Sequence, residues 1–345
     1  MKSLHLTSAT AGRKPIALWL LICCAMVFCT LVVGGVTRLT DSGLSIVEWQ
    51  PLLGAIPPLT HQDWLEMFDK YKQIPQYHQV NFDMTLEGFQ YIFWWEWVHR
   101  QIGRVIGLVF LLPLLWFWVR GMIPRGYKWK LVGIFILGGL QGAMGWYMVK
   151  SGLANDVRVS QFRLAAHLGI AFLVFGLMLW TALGLLQERS PWPTAPASVR
   201  RFGLFVLGAV SIMVLSGALV AGTRAGFAYN TFPLMNGHFV PPDLLAMEPW
   251  WLNFFSNLGT VQFDHRMLAY ALVILIPMLW SRVLRQAPHA AGVASALLVV
   301  LAGQVSLGIA TLLNHVPVPL ASLHQAGAMI LFGLLIWLNH RLRIA

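Results

Sequence analysis

Charge is what this chain has least of. Only 11% of its 345 residues are Asp, Glu, Lys or Arg, against about a quarter in soluble domains, while 57% are hydrophobic. With a mean hydropathy of +0.66, that balance excludes an ordinary water-soluble globule. Cysteine is scarce too, and Cys23, Cys24 and Cys29 all fall in one apolar run. Thiols placed there cannot build an external disulfide framework, and buried thiols of this kind read as packing. Acids are also few, 13 against 24 Lys and Arg, for a net charge of +11. In a soluble protein such an excess points to nucleic acid. Here its placement along the chain explains it better, and no nucleic-acid partner is expected.

What the chain has instead is long apolar runs. A helix crosses the hydrocarbon in about 20 residues, and eight runs qualify, near 16–37, 92–119, 130–150, 161–186, 202–222, 259–282, 292–313 and 320–340. The prediction is an all-α polytopic membrane protein, with the bilayer as its solvent. If the N-terminus lies inside, the cytoplasmic segments hold Lys2, Arg13, Lys14, Arg120, Arg125, Lys128, Lys130, Arg189, Arg200, Arg201, Arg282, Arg285, Arg341 and Arg343, as the positive-inside rule requires. The outer loops carry most of the acids, from Asp41 and Glu48 to Asp243 and Glu248, and an even number of spans returns the C-terminus to the inside. The first run follows Arg13-Lys14 but is longer than a signal-peptide core. No small-residue cleavage site closes it before Gly34-Gly35-Val36-Thr37-Arg38, so it is expected to remain as a helix.

The chain also resembles itself, at low identity but in matched order. Gly35-Val36-Thr37-Arg38 ends the first span, His99 opens the second, Gln141 and Gly145 lie in the third, and His167 opens the fourth. The second half answers with Gly217 leading to Gly222-Thr223-Arg224, then His265, Gln304 with Gly308, and His324. An even number of spans per half makes these parallel repeats. The expected architecture is therefore two four-helix bundles, residues 1–186 and 202–345, joined by a Pro-rich cytoplasmic linker at 187–201. The outer loop at 38–91 is much the longest, and Asp63 to Lys72 within it reads as a short amphipathic interfacial helix. Trp250-Trp251, near the end of the loop 224–258, suits an aromatic anchor at the interface.

Ionisable groups inside bilayers are rare and generally functional. A single intramembrane histidine is open to a bland reading, a donor to a neighbouring helix carbonyl. Four at equivalent places, His99, His167, His265 and His324, point to iron, two imidazoles per haem, held inside each bundle. The residue four positions after each, on the same helix face, is Gly103, Ala171, Ala269 or Ala328. That leaves room for a flat porphyrin, although small residues also serve helix packing. Arg100, Arg104, Arg163 and Arg266 are candidates to pair with haem propionates, against the alternative of snorkelling to the interface. Gln141 and Gln304 are open to two roles, hydrogen-bonding a group beside the haem or lining the seam between bundles. Zinc fits poorly, because the histidines lack short ligand spacing and thiolates.

The first outer loop opens Gly34-Gly35-Val36-Thr37-Arg38-Leu39-Thr40-Asp41-Ser42-Gly43-Leu44-Ser45-Ile46-Val47-Glu48-Trp49-Gln50-Pro51, followed by Gly54-Ala55-Ile56-Pro57-Pro58. Together with the paired histidines, this stretch closely resembles the haem A synthase family of proteobacteria and mitochondria. The resemblance covers essentially the whole chain. It implies a multi-pass protein of the cell inner membrane that oxidises the C8 methyl of haem O to a formyl group for cytochrome oxidase. It further implies haem B iron on His265 and His324, haem O as substrate on His99 and His167, and a catalytic role for Glu48. Many bacterial members carry cysteine pairs in the outer loops and this chain has none, so a thiol relay is not available to it.

Side chains alone cannot oxidise an unactivated methyl, so a redox cofactor must. Haem O, a haem O synthase, an electron donor and oxidase assembly factors are the partners the resemblance implies. Two other readings use the same histidines: a non-catalytic bis-histidine membrane cytochrome, and a haem carrier or assembly chaperone without chemistry. Neither calls for a long outer loop with a glutamate on one half only.

Overall fold

The computed structural model describes residues 12–50, 53–155, 159–187 and 193–343. Lys2, Arg189 and the rest of linker residues 188–192 lie outside them. Eight helices among the described residues are long and apolar enough to cross a membrane. They are α1 (Arg13–Leu39), α2 (Leu86–Val119), α3 (Lys128–Asn155), α4 (Gln161–Leu186), α5 (Ala197–Thr223), α6 (Leu258–Gln286), α7 (Ala291–Leu313) and α8 (Val318–Arg343). The chain is thus a multi-pass membrane protein, and no strand forms among the described residues beyond an isolated bridge between Met235 and His238.

Most helices outrun the apolar stretches that predict them, because polar capping groups carry the ends beyond the hydrocarbon. Thr85 caps α2 by accepting from Gly88 N at 3.2 Å, and Asn257 caps α6 by accepting from Thr260 N at 3.0 Å. These satisfy amides that have no partner inside the helix. At the linker, α5 starts at Ala197, so the segment expected to run to 201 is already helical over its last residues.

Helices α1 to α4 close on one another, α1 against α2 and α4, and α3 against α2 and α4. Helices α5 to α8 do the same, α5 against α6 and α8, and α7 against α6 and α8. The two sets meet where α4 packs on α5, α8 on α1, and α4 on α8. The α4–α8 seam is reciprocal. A Cβ on Gly176 would touch the Phe332 ring at 3.2 Å, and one on Gly333 would touch the Phe175 ring at 3.4 Å. Phe175-Gly176 and Phe332-Gly333 stand at matching positions after His167 and His324. Small residues let the backbones approach, which is how helices associate where no water drives them together.

The ends of α1 and α5 also correspond, in a register that differs from the one drawn on sequence alone. Asp41 (φ 54°) and Arg224 (φ 60°) both take the left-handed conformation that stops their helices. Thr40 and Thr223, one residue earlier in each, both bond back to the carbonyl four residues before, at 2.8 Å. Arg224 therefore answers Asp41, not Arg38. The two side chains meet, Arg224 Nη2 lying 2.5 Å from both Asp41 oxygens.

The described residues between α1 and α2 fold onto α2. They carry the short helices His61–Tyr71 and Pro75–Val80, the first being the expected amphipathic element. Phe68, Tyr71, Ile74 and Leu44 pack on Phe89, Ile92 and Phe93 of α2. Burial pushes the Tyr71 phenol up to about 12, and its hydroxyl donates to Gln76 Oε1 at 3.1 Å.

A reciprocal capping box opens the His61–Tyr71 helix: Asp63 N donates to Thr60 Oγ1 at 3.1 Å, and Thr60 N donates to Asp63 Oδ2 at 2.9 Å. The backbone N–H groups of Thr60 and Leu59 hold the Asp63 carboxyl below its usual range. A group with a depressed folded pKa supports structure above its unfolded value and loses that support as pH falls through the folded one. Amide exchange over 61–65, corrected for intrinsic rate, should therefore quicken on acidification. Thr60→Ala should quicken it roughly five-fold at neutral pH, and an unchanged rate there would show that the box does not set the helix start.

Candidate functional site

Each of the four histidines is presented by an even-numbered helix to a glycine on the helix before it. A Cβ on Gly34 of α1 would meet His99 Nε2 at 2.7 Å, and one on Gly145 of α3 would meet His167 Cε1 at 3.0 Å. In the second half, a Cβ on Gly217 of α5 would meet His265 Cε1 at 3.2 Å, and one on Gly308 of α7 would meet His324 Cε1 at 2.8 Å. A side chain at Gly34 or Gly308 would force the ring to move, and one at Gly145 or Gly217 would push it by a few tenths of an ångström, so glycine lets all four rings sit where they do. The rings of His99 and His167 lie close enough to interact electrostatically, as do those of His265 and His324.

The predicted pairing thus brings two imidazoles together in each half. Among the described residues, no three His, Cys, Asp or Glu side chains gather around one point. A bare metal ion needs about four protein ligands, whereas a porphyrin brings its own equatorial four and asks for two axial imidazoles. The donor set fits a haem. His167 Nδ1 and His324 Nδ1 are buried with no hydrogen-bond partner, as is one amide oxygen of both Gln141 and Gln304. A Cβ on Gly103 or Gly107 of α2, or on Gly138, Gly139 or Gly142 of α3, would meet nothing within 4 Å.

Hydrogen bonds around the rings differ between halves. Gln141 Nε2 lies 3.4 Å from His167 Nε2, whereas Gln304 Nε2 donates to the backbone oxygen of His324 at 2.9 Å. Ser216 Oγ lies 3.2 Å from His265 Nδ1.

The arginines singled out from sequence are mostly committed to loop backbone. Arg100 Nη2 donates to Ile46 O at 3.0 Å and Nη1 to Glu48 O at 3.5 Å. Arg266 Nη2 donates to Tyr229 O and Thr231 O, each at 3.0 Å. Ile46 and Tyr229 are separated by the same 183 residues as Asp41 and Arg224, as are Glu48 and Thr231. The residues after His99 and His265 therefore grip the same two carbonyls of their own loops. Arg104 donates to Gln101 Oε1 at 2.5 Å and Gln50 O at 3.2 Å, and Arg163 stacks 4.9 Å from the Tyr147 ring.

Glu48 is 40% exposed and pairs with Lys70 at 2.8 Å, while Gln50 Nε2 donates to its other oxygen. The buried carboxylate is Glu96, which sequence reading passed over although it lies three residues before His99. It is 2% exposed and accepts from Ser45 Oγ at 2.7 Å, Ile46 N at 2.8 Å and Arg100 Nη2 at 2.6 Å. The spacing of Glu96 and Arg100, four apart on a helix, was the signal available for it. Their pair staples the start of the first loop above His99.

Comparison with known proteins agrees with this geometry. The COX15-CtaA family model, described as cytochrome oxidase assembly protein, matches residues 17–336. A haem A synthase of Nitrosospira multiformis is 56% identical over 338 residues, 96% of this chain and 95% of that protein. Those of Nitrosomonas eutropha and Rhodospirillum centenum are 52% and 47% identical, over 96% and 99% of this chain and 95% and 94% of their own lengths.

Removing one member of a buried ion pair strands the other, at a cost of about 3–5 kcal/mol. Glu96→Ala should therefore loosen the first loop from α2, and limited trypsin digestion in detergent should cut faster at Lys70 and Lys72. Parent-like cleavage would mean that the loop is held by its apolar contacts alone.

Proposed function

Because the chain belongs to the COX15-CtaA family of cytochrome oxidase assembly proteins, we propose that it carries the activity of its haem A synthase relatives, the membrane-embedded oxidation of haem O to haem A. The observation that carries the reading is the pair of half-buried imidazoles in each half, every ring seated on a glycine. His265 and His324 ligate a resident haem B; His99 and His167 ligate the substrate, haem O. The chain works as two parallel four-helix repeats, 1–186 and 202–345, joined by the linker at 187–201. Matching contacts at α1 and α5, and the reciprocal α4–α8 seam, support that division. The basic residues of the α2–α3 turn and of the ends of α6 and α8 support an inner-membrane orientation with both termini cytoplasmic.

The reaction takes a methyl through two hydroxylations, to an alcohol and then to a gem-diol that loses water to give the aldehyde, and an external oxidant must supply the oxygen atoms and take up the four electrons removed from the carbon. The resident haem supplies the redox chemistry when bound. The protein's part is to position and to seal. Gly34 and Gly145 set where the substrate-side imidazoles sit. The open glycine faces of α2 and α3 admit a flat macrocycle, and the first loop, pinned by Glu96 and Arg100, covers it. Glu48 takes the proton released at the hydroxylated carbon, and Lys70, 2.8 Å away, fixes where its carboxylate stands. Arg104 and Arg163, at the rim of the first half, are best placed to meet propionates there. A haem O synthase supplies the substrate, an electron donor serves the resident haem, and oxidase assembly factors receive the product.

Pigment analysis of membranes co-expressing a haem O synthase tests the reading. Haem A should accumulate with the parent chain; a spectrum of haem B and haem O alone would leave an electron carrier or a haem chaperone. His265→Ala or His324→Ala should strip the resident haem from purified protein, and full retention would mean the sites are misassigned. Glu48→Ala should keep the haem B spectrum while haem A formation falls roughly 100-fold, the typical worth of a general base. Parent-like yield would remove that role.

A further inference from the structure

Matching positions in the two halves differ where the ring nitrogens are hydrogen-bonded. Ser216 stands one residue before Gly217, and the residue one before Gly34 is Val33. Gly34 and Gly217 both seat a histidine ring and are separated by the same 183 residues as Asp41 and Arg224, so Val33 occupies the place of Ser216. Valine has no polar atom to offer. The rings respond differently. His265 presents Cε1 and Nδ1 to α5, at 3.2 and 3.9 Å from a Cβ on Gly217, with Nδ1 3.2 Å from the Ser216 hydroxyl. His99 instead turns Nε2 toward α1, 2.7 Å from a Cβ on Gly34.

For His265 to bind iron through Nε2, its proton must reside on Nδ1, where Ser216 Oγ accepts it. Metal-bound histidines are ordinarily oriented in this way, and the outer hydrogen bond raises the basicity of the ligating nitrogen. In the first half no such acceptor stands at that position, and His99 has to rotate before its Nε2 can ligate. The second ligands differ in the same sense. The Gln141 amide reaches His167 Nε2 at 3.4 Å and competes for its lone pair, whereas Gln304 is tied to the His324 backbone and leaves that ring free.

We infer that Ser216 is a positioning residue that makes the second half the permanent haem site, and that Val33, in the corresponding place, keeps the first half exchangeable. This rests on the ligand assignment of the proposed function and adds what separates cofactor from substrate. A permanent cofactor needs its axial ligands locked before binding. A substrate site has to let its product leave, and is served by ligands that must be reoriented on each cycle.

The test is haem transfer from purified full-length protein to apomyoglobin, followed by absorbance, together with the reduction potential of the resident haem. Ser216→Val, which copies the first half, and Ser216→Ala, which adds no bulk, should each release haem about 10- to 100-fold faster than the parent. Their potentials should move to more positive values, because a less basic imidazole stabilises ferric iron less. Ser216→Thr, which keeps the hydroxyl, should behave like the parent. Parent-like release and potential in both Ser216→Ala and Ser216→Val would overturn the inference, as would loss in Ser216→Thr equal to that in Ser216→Ala. His265→Ala separates the two levels. If it keeps the haem, the ligand assignment itself is wrong; if it loses the haem while Ser216→Ala does not, only the role of Ser216 falls.

Discussion

The contact between an imidazole and a glycine of the neighbouring helix is the constraint on which the architecture turns. A polar ring in a bilayer must be shielded from lipid and face a partner or a cofactor. Seating it against a bare backbone does both. The glycine lets two helices approach until the ring is walled on one side, and the ring's other face is left to the bundle interior. Four such contacts, Gly34 with His99, Gly145 with His167, Gly217 with His265 and Gly308 with His324, place all four rings by one device. Any larger residue at these glycines displaces a ring, so helix packing and the site are here the same set of contacts.

Above the rings, a second device is repeated. Arg100 and Arg266, each next to a histidine, hold two carbonyls of the loop that follows α1 or α5. Buried guanidinium groups with backbone acceptors are pre-organised forks, and here they tie a long loop to the helix that bears the ligand. The halves then lock together through Asp41 and Arg224, where one position has become acidic and its counterpart basic. A contact between equivalent positions of a repeat cannot be an ion pair until the repeats diverge. This one marks the chain as a fused pair whose halves no longer have interchangeable sequences.

The eight spans were readable from sequence, because apolar length is a strong signal when charge is this scarce, and the four histidines stood out against it for the same reason. The glycines that seat the rings were less so. Gly34 and Gly217 face their histidines across helices, and a contact between helices has no period along one of them. Glu96 was hidden for a related reason. Its partners Ser45 and Ile46 lie far back in the chain, and nothing beside it in sequence points to them. The arginines were assigned to propionates on chemistry, but the same forks suit backbone carbonyls, and only the path of the loops decides between them. Register between the repeats failed by sequence where Gly-Thr-Arg seemed to match Val-Thr-Arg. Conformation places Arg224 opposite Asp41, since both stop a helix with positive φ.

Duplicating a haem-binding bundle yields two equal sites, and equal sites cannot make an enzyme that oxidises one haem with another. One must hold its iron and the other must surrender it. A few side chains around otherwise identical rings suffice for that difference. A hydroxyl lies against one ring nitrogen in the second half where the first half has a valine, and an amide that meets backbone in the second half meets a ring nitrogen in the first. The fold needs no alteration, because second-shell hydrogen bonds change ligand strength by one to two orders of magnitude at little cost in packing volume. The long loop and its partly exposed glutamate lie on the first half alone, whereas glycines that open onto free space occur in both, at Gly103 and Gly142 as at Gly208 and Gly303.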